Sequence, residues 1–409
     1  MIVTITANEF ECVVVGAGPA GSAAAVAAQR AGFRTALIDA AERGRDKTCG
    51  DGLTPRAVHS LRELGLEVPA YRNRGLKLHG FGGDVTAAWP AGPFGTEGSA
   101  SPRSLFDATL LDAARASGAE VFHNCPATSA EFSGGAISAI TTPLGTLRPK
   151  WVIVADGVRS TFGKTLGRVW HRGEVYGIAA RSYCTSPRSE EPWMHSHVEL
   201  RDTDGAIQPG YGWIFPLGDG TVNLGCGALS TDKRPAKVNT KKLLSVYASQ
   251  QRRDWGLGPE ESVASALLPM GGAVSNVAGR NWALIGDAAA CVNPLNGEGI
   301  DYGLETARMA VELITTGADL TLTWPLELRR AYGDAFMLAR TAARLLTYPQ
   351  FLPVVGPVAL RGVVGKRLMP AAARLMGNLV TEQDRDLVSW AWRKAGELTP
   401  AREPLWSVA

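Results

Sequence analysis

No two of the six cysteines in this 409-residue chain lie close together: Cys12, Cys49, Cys125, Cys184, Cys226 and Cys291 are scattered, with no C-x-x-C and no histidine at ligand spacing. That argues against a disulfide framework and a zinc site, so no metal is expected and reduced thiols in the cytoplasm fit best. Charge of one sign is lacking too. Lysine plus arginine (42) against aspartate plus glutamate (39) leaves +3, too little to mark a nucleic-acid binder. Long apolar runs are missing: uncharged stretches such as 345–360 are interrupted by Pro349, Pro353 and Pro357 and are too short to span a bilayer. No lysine or arginine precedes Arg30, so the apolar N-terminus lacks the charged start of a secretory signal. The expectation is a chain that does not cross a membrane, although it can lie against one. With 45% hydrophobic and 20% charged residues, it has the composition of an ordinary globular protein of two or three domains.

What is present begins with a βαβ unit. Residues 12–15 form a short buried-type run, 20–31 are alanine-rich and helical, and 35–39 read as a second strand. Two later runs, 151–155 and 281–285, each enter a Gly/Asp turn and look like strands returning to the same sheet. Between them, alternating stretches at 176–184, 196–200, 212–215 and 221–227 predict a mostly antiparallel inserted sheet. Beyond Trp324 the pattern is helical, at 327–347 and 370–395, with a proline-rich break at 348–357. The implied division is a discontinuous dinucleotide-binding domain (1–70, 99–171, 275–322), a β-sheet substrate domain (71–98, 172–274) and a helical C-terminal region (323–409).

The turn Val15-Gly16-Ala17-Gly18-Pro19-Ala20-Gly21 supplies Gly-x-Gly-x-x-Gly between strand and helix. Missing Cβ atoms there let the backbone approach a pyrophosphate at the helix N-terminus. Asp39, eighteen residues past Gly21, is placed to hydrogen-bond an adenosine ribose. A flavin needs contacts beyond its ADP half, and two further turns offer them: Val154-Ala155-Asp156-Gly157 and Ile285-Gly286-Asp287-Ala288. Together the three resemble the fingerprints of FAD-dependent hydroxylases and their relatives. The resemblance implies a Rossmann-like α/β domain of the glutathione-reductase type, with Asp287 on the ribityl hydroxyls, Asp156 and Gly157 by the pyrophosphate, and Arg103 near the cofactor. There is no second Gly-x-Gly-x-x-Gly, so the electron donor, NAD(P)H or another reductant, has no dedicated domain.

Three further segments narrow the resemblance: 47–57 (KTCGDGLTPRA), 209–216 (PGYGWIFP) leading to Asn223-Leu-Gly-Cys-Gly227, and 293–302 (NPLNGEGIDY). They are similar to the geranylgeranyl reductase family, FAD enzymes that saturate double bonds in polyprenyl chains. The tail from Gly377 to Trp392 resembles the actinobacterial branch that acts on an isoprene unit of menaquinone. From the residues themselves, Tyr211, Trp213 and Phe215 alternate in a strand and share one face, an aromatic wall for a flat flavin or an isoprenoid chain, or simply a packed sheet core. Gly297 and Gly299 flank Glu298 just after the Gly-Asp turn and let backbone reach the flavin ring beside a helix N-terminus, with Ile300 next to them a further cofactor candidate. The resemblance places Cys49, with Gly50 beside it, at the isoalloxazine. Its Gly/Asp-rich turn after a basic segment is a setting that lowers a thiol pKa and keeps it accessible, with a small buried residue as the alternative.

The reaction so implied delivers a hydride from reduced flavin N5 to one alkene carbon while an acid or water protonates the other. Cys49 and Tyr211 are the candidate acids and Trp213 a candidate for positioning. The alternatives are reduction of another prenyl lipid or diphosphate, a flavin monooxygenase or halogenase, and a non-catalytic prenyl-lipid-binding flavoprotein. Residues 329–380 hold eight cations (329, 330, 340, 344, 361, 366, 367, 374) and one acid, Asp334. They predict a cationic surface for peripheral docking on the cytoplasmic membrane. His195 and His197 read as polar-face strand residues.

Overall fold

In the computed structural model, residues 8–381, 384–397 and 405–407 are described. The run Glu9–Val15 becomes the centre of a parallel sheet because Cys12, Val13 and Val14 are wholly buried, as a strand covered on both faces requires. Strands Glu120–Phe122, Thr35–Ile38, Glu9–Val15, Gly145–Val154 and Trp282–Leu284 lie side by side and parallel. Ala278–Gly279 edges the sheet and the hairpin Ser129–Ser133/Ala136–Thr142 extends it. Register is what builds the site. Val15 stands level with Ile38 and with Val154, and Val154 with Leu284. The three glycine turns and Asp39 therefore leave the sheet together at its C-terminal edge, where open α/β sheets bind ligands.

The second sheet has seven strands, ordered Glu261–Pro269, Tyr176–Thr185, Thr221–Ser230, Gly210–Pro216, Met194–His197, Gly75–Gly80 and Gly83–Ala88. All pairs are antiparallel except Met194–His197 with Gly75–Gly80. Alternation sorts its two faces. Ile214, Leu224 and Cys226 are buried with Leu243, Leu244 and Tyr247 of the helix Thr240–Trp255, while Trp213 and Phe215 face the other way. A small three-stranded sheet, Gly52–Leu53, Gly98–Ala100 and Tyr71–Asn73, sits beside them.

The helical C-terminal region differs from the sequence expectation in two places. The segment 348–357 is not a break: a helix runs Phe351–Leu360. Pro353 lies in its first turn, where no N–H is required, and Pro357 near its end costs one hydrogen bond. The stretch 370–395 is not one helix but the end of Gly362–Met376 and Leu387–Glu397, parted where Asn378 takes the left-handed conformation (φ 57°). The long helix Leu320–Leu346 packs Trp324, Leu328, Tyr332 and Phe336 into the main core with Trp406. No described helix is long and apolar enough to cross a membrane.

Candidate functional site

At the nucleotide end the glycines are forced. A Cβ on Gly21 would lie 1.7 Å from the Gly16 carbonyl oxygen, and one on Gly16 (φ 101°) 2.4 Å from that of Ala155. Pro19 opens the helix Pro19–Arg30, and Ala20 packs against Gly286 and Gly303. Asp39 is buried and held rigidly: one carboxylate oxygen accepts from Ala17 N (2.5 Å), the other from Ala41 N (2.7 Å). It faces a recess lined by Arg43, Arg45, Leu111 and His123. The Arg45 guanidinium lies over Gly18, a counter-charge that the sequence reading did not single out. Asp156 is brought against Gly16, and Gly157 beside it takes the left-handed conformation (φ 76°) with open space around it. The Asp156 carboxylate, however, serves its own turn, accepting from Ser160 Oγ (2.6 Å) and Phe162 N (2.8 Å). Glycines that exclude any Cβ, a fixed acid, and arginines beside a helix N-terminus together fit an adenine dinucleotide.

In the middle of the site Asp287 is ion-paired with Lys47 at 2.7 Å. Burial raises its pKa, but Lys47 and then Arg103 and Arg168 outweigh burial and hold it below the usual carboxylate range. Gly286 (φ 53°) makes the turn that presents it. Arg103 is 2% exposed and grips Asp107 through two bonds of 2.7 and 2.8 Å. Gly297 (φ 76°) and Gly299 lead into the helix Ile300–Thr315, whose first N–H is capped by Glu298 Oε1 (3.1 Å). Burial first, then the like charges of Asp301 and Asp287, push the Glu298 carboxyl well up against the pull of the Ile300 and Gly299 N–H groups.

Cys49 departs from one of its two expectations and fits the other. Its turn does reach the centre, but burial pushes the thiol pKa up rather than down; Arg103 opposes the shift without overcoming it. The residue is half-buried and protonated, a proton carrier rather than a thiolate. The other five cysteines are buried. The turn is clamped from both sides. Asn223 Nδ2 donates to the Cys49 carbonyl (2.9 Å) and to Asp51 Oδ2 (2.8 Å), which also accepts from Tyr183 OH (2.7 Å). Asp51 Oδ1 is buried and without a hydrogen-bond partner. Burial raises the Asp51 pKa to about 6 against the pull of Asn223, Tyr183 and Arg103. Asp51, Asn223, Tyr183 and Lys47 had no assigned role from sequence. The acid between two glycines in C-G-D-G was the one local signal; the others are recognisable only once distant strands pair.

The aromatic wall forms as expected. Tyr211, Trp213 and Phe215 have successive ring centroids 5.9 and 6.3 Å apart. Register explains how the rings lie down: Trp213 is opposite Gly225 and Tyr211 opposite Gly227. A Cβ on Gly225 would sit 2.0 Å from the indole. Trp213 Nε1 donates to Asn223 Oδ1 (2.8 Å), and Tyr211 OH to the Asn296 carbonyl (2.5 Å). Gly50 and Gly52 keep the cysteine turn flat against Phe215 and Trp213. His195 and His197 fall elsewhere, in a stack with His79 behind the wall, both lowered to about 3, first by burial and then by neighbouring histidines.

A dinucleotide cradle at one sheet edge, opening onto an aromatic wall on a second sheet, defines an FAD-dependent oxidoreductase. The description for FAD binding domains matches residues 9–315. The menaquinone reductase of Mycolicibacterium smegmatis is 52% identical over 94% of this chain and 96% of that protein. Digeranylgeranylglycerophospholipid reductase 1 of Methanopyrus kandleri is 29% identical over 83% and 91%. Among solved structures, a geranylgeranyl bacteriochlorophyll reductase-like protein from Thermoplasma acidophilum superposes with a TM-score of 0.74 at 20% identity, over 95% of this chain and 99% of that one. A flavin-dependent brominase superposes with 0.73 at 17%, over 95% and 98%, so fold alone does not separate reductases from halogenases. The sequence relationship does: the chain belongs to the geranylgeranyl reductase family of FAD-dependent oxidoreductases, in the branch that holds the menaquinone reductases.

Proposed function

We propose that this protein saturates a carbon–carbon double bond in the prenyl chain of menaquinone, using bound FAD. The observation that carries the reading is the turn Cys49–Asp51, with its protonated thiol and an Asp51 carboxyl of raised proton affinity, pressed onto the Tyr211–Trp213–Phe215 wall. It is an apolar surface able to hold an alkene, with proton donors along its edge. The 52% identity to a menaquinone reductase supports it. The brominase alternative is weakened by Tyr211 and Phe215, which stand where the halogenase Trp-x-Trp-x-Ile-Pro pattern has Trp and Ile.

We assign Gly16, Gly18, Pro19, Ala20, Gly21 and Asp39 to the ADP half of FAD. Asp156, Gly157 and Arg103 are assigned beside the pyrophosphate and middle, and Cys49, Gly50, Gly286, Asp287, Gly297, Gly299 and Ile300 to the flavin half. Reduced flavin supplies a hydride when bound. The chain must hold the alkene against the wall, exclude water and supply one proton. We assign that proton to Cys49 Sγ or, once its bond to the Asn296 carbonyl is broken, to Tyr211 OH, with Trp213 positioning the chain and Asp51, whose N–H donates to Cys49 Sγ, replenishing the thiol. An isolated alkene offers no carbonyl to absorb charge, so this positioning contributes much of the rate. We further propose the domain division given above, NAD(P)H or another reductant arriving transiently, and peripheral attachment to the cytoplasmic membrane.

The test is anaerobic incubation of the dithionite-reduced protein with menaquinone and with geranylgeranyl lipids, followed by mass spectrometry. A gain of two hydrogens located in the prenyl chain, retained after the quinone head is re-oxidised and greatest with menaquinone, is expected. Unchanged masses under reducing conditions, with labelled oxygen incorporated in air, would overturn it.

A further inference from the structure

The helix Phe351–Leu360 has an outward face that ordinary surface helices do not have. Leu352, Gly356 and Leu360, spaced four apart, face inward. Gly356 lies so close to the Phe81 ring that a Cβ would approach it to 2.3 Å, and the Leu360 carbonyl rests on Gly83. The opposite side carries Val354, 68% exposed, Val355, 40%, and Val358, 63%. Tyr348 before the helix and Val363 after it, 49% and 66% exposed, extend the patch. A helix apolar all round is normally buried, and this one is not.

Its surroundings carry one sign of charge. No acid occurs between Asp334 and Glu382, and no charged residue between Arg344 and Arg361. Yet four of the eight cations of this region pair with acids from outside it. Arg340 and Arg344 pair with Glu174, Arg374 with Asp384 and Asp386, and Arg330 with Glu327. The side chain of Lys366, counted among the expected cations, lies outside the described residues, as does that of Trp392 in the resembling tail. What this surface offers is an apolar ridge with Arg361 and Arg367 at its rim. Behind it, Leu352 and Leu360 belong to the same apolar cluster as Tyr211, Trp213 and Phe215.

We infer that the helix Phe351–Leu360 inserts into the apolar layer of a lipid membrane, with Arg361 and Arg367 at headgroup level, and that the prenyl chain passes from the bilayer along it to the aromatic wall. The route of the chain rests on the prenyl-lipid reading above; the insertion does not. Attachment is driven by apolar burial rather than by counter-ion attraction, so it tolerates salt.

The experiment is flotation of the FAD-loaded protein with vesicles of phosphatidylcholine, with and without phosphatidylglycerol, at low and high salt. Wild type is expected to float with both and to stay bound at high salt. V354D/V358D, with its flavin content and melting temperature checked against wild type, is expected to partition at least about tenfold more weakly. Phe132→Asp, at an exposed phenylalanine on the distant hairpin, is expected to float as wild type does. Release of wild type by salt, wild-type-like flotation of V354D/V358D, or a dimer in ultracentrifugation abolished by V354D/V358D while neither form floats would overturn the inference. Wild-type turnover of detergent-dispersed menaquinone separates the two readings. Flotation without turnover sinks the function and keeps the insertion; turnover without flotation does the reverse.

Discussion

At the dinucleotide turn several contacts are close in sequence, Gly21 on Gly16 and Ala17 N on Asp39 twenty-two residues on, although Gly16 also packs on Ala155 of a distant strand. At the aromatic wall they are remote. Asn223 reaches Cys49 across 174 residues, Tyr211 reaches Asn296 across 85, and Arg56 reaches Asn378 across 322. The first region is limited by backbone packing, where any side chain collides. The second is assembled from side chains on several elements, which lets proton affinities and apolar shape be set separately. On the function proposed above, one end accepts a fixed cofactor, and the other is free to select what is reduced.

The largest effect expected from breaking this contrast is at the backbone-limited end. Gly21→Val drives a side chain into the Gly16 carbonyl, and flavin content read from the 450 nm absorbance should fall to background. At the assembled end, Arg56 grips Glu305 with bonds of 2.6 and 2.7 Å and donates to the Asn378 carbonyl, pinning the C-terminal segment over the loop that holds Gly297. Arg56→Met strands Glu305 in a largely buried position and should cost about 3 kcal/mol in a denaturant titration, with some flavin retained. Asp51→Asn is milder for the fold, because Oδ2 keeps its two donors and the new amide falls where Oδ1 has none. Turnover should fall about 10–100-fold with FAD binding intact, and the inflection near pH 6 in the wild-type rate profile should vanish.

The smallest effect sharpens the comparison through pH. The Asp51 carboxyl is raised from 3.8 to about 6. Between those values the unfolded chain has lost the proton that the folded chain keeps, so stability falls as pH rises from about 4 to about 6 and levels off above. Asp301, also raised to about 6, first by burial and despite the pull of Arg56, adds in the same direction. Asp51→Asn should remove its share, leaving the variant about 2–3 kcal/mol more stable than wild type above pH 6. A wild-type stability flat from pH 4 to 7 would contradict the raised proton affinity assigned to this residue.

These differences also mark what was legible in the sequence. The first glycine turn, Asp39 and the alternation of Tyr211, Trp213 and Phe215 follow from local spacing, and local spacing is what one sequence displays; Asp287 was singled out by the resemblance of its turn to a family fingerprint. The Cys49 environment was misjudged because a Gly/Asp-rich turn looks open in sequence; only the paired strands 210–216 and 221–230 reveal that Trp213 and Phe215 close over it. Asp51, Asn223 and Tyr183 were missed for the same reason, since Tyr183, Asn223 and Phe215 become neighbours only through register across three strands. The proline-rich segment misled in the opposite direction. Prolines at the first turn and near the end of Phe351–Leu360 are compatible with a helix, and the apolar residues between them supply its exposed ridge.

The most direct test of the central claim is to find where the hydrogens go. Reduced protein and menaquinone are combined without oxygen in heavy water, the product is re-oxidised in air, and its fragments are weighed. The account predicts two hydrogen isotopes retained in a single isoprene unit, at a rate lowered by Trp213→Ala or Asp51→Asn. Return of the product to the starting mass on re-oxidation would show that only the quinone head had been reduced, and would contradict it.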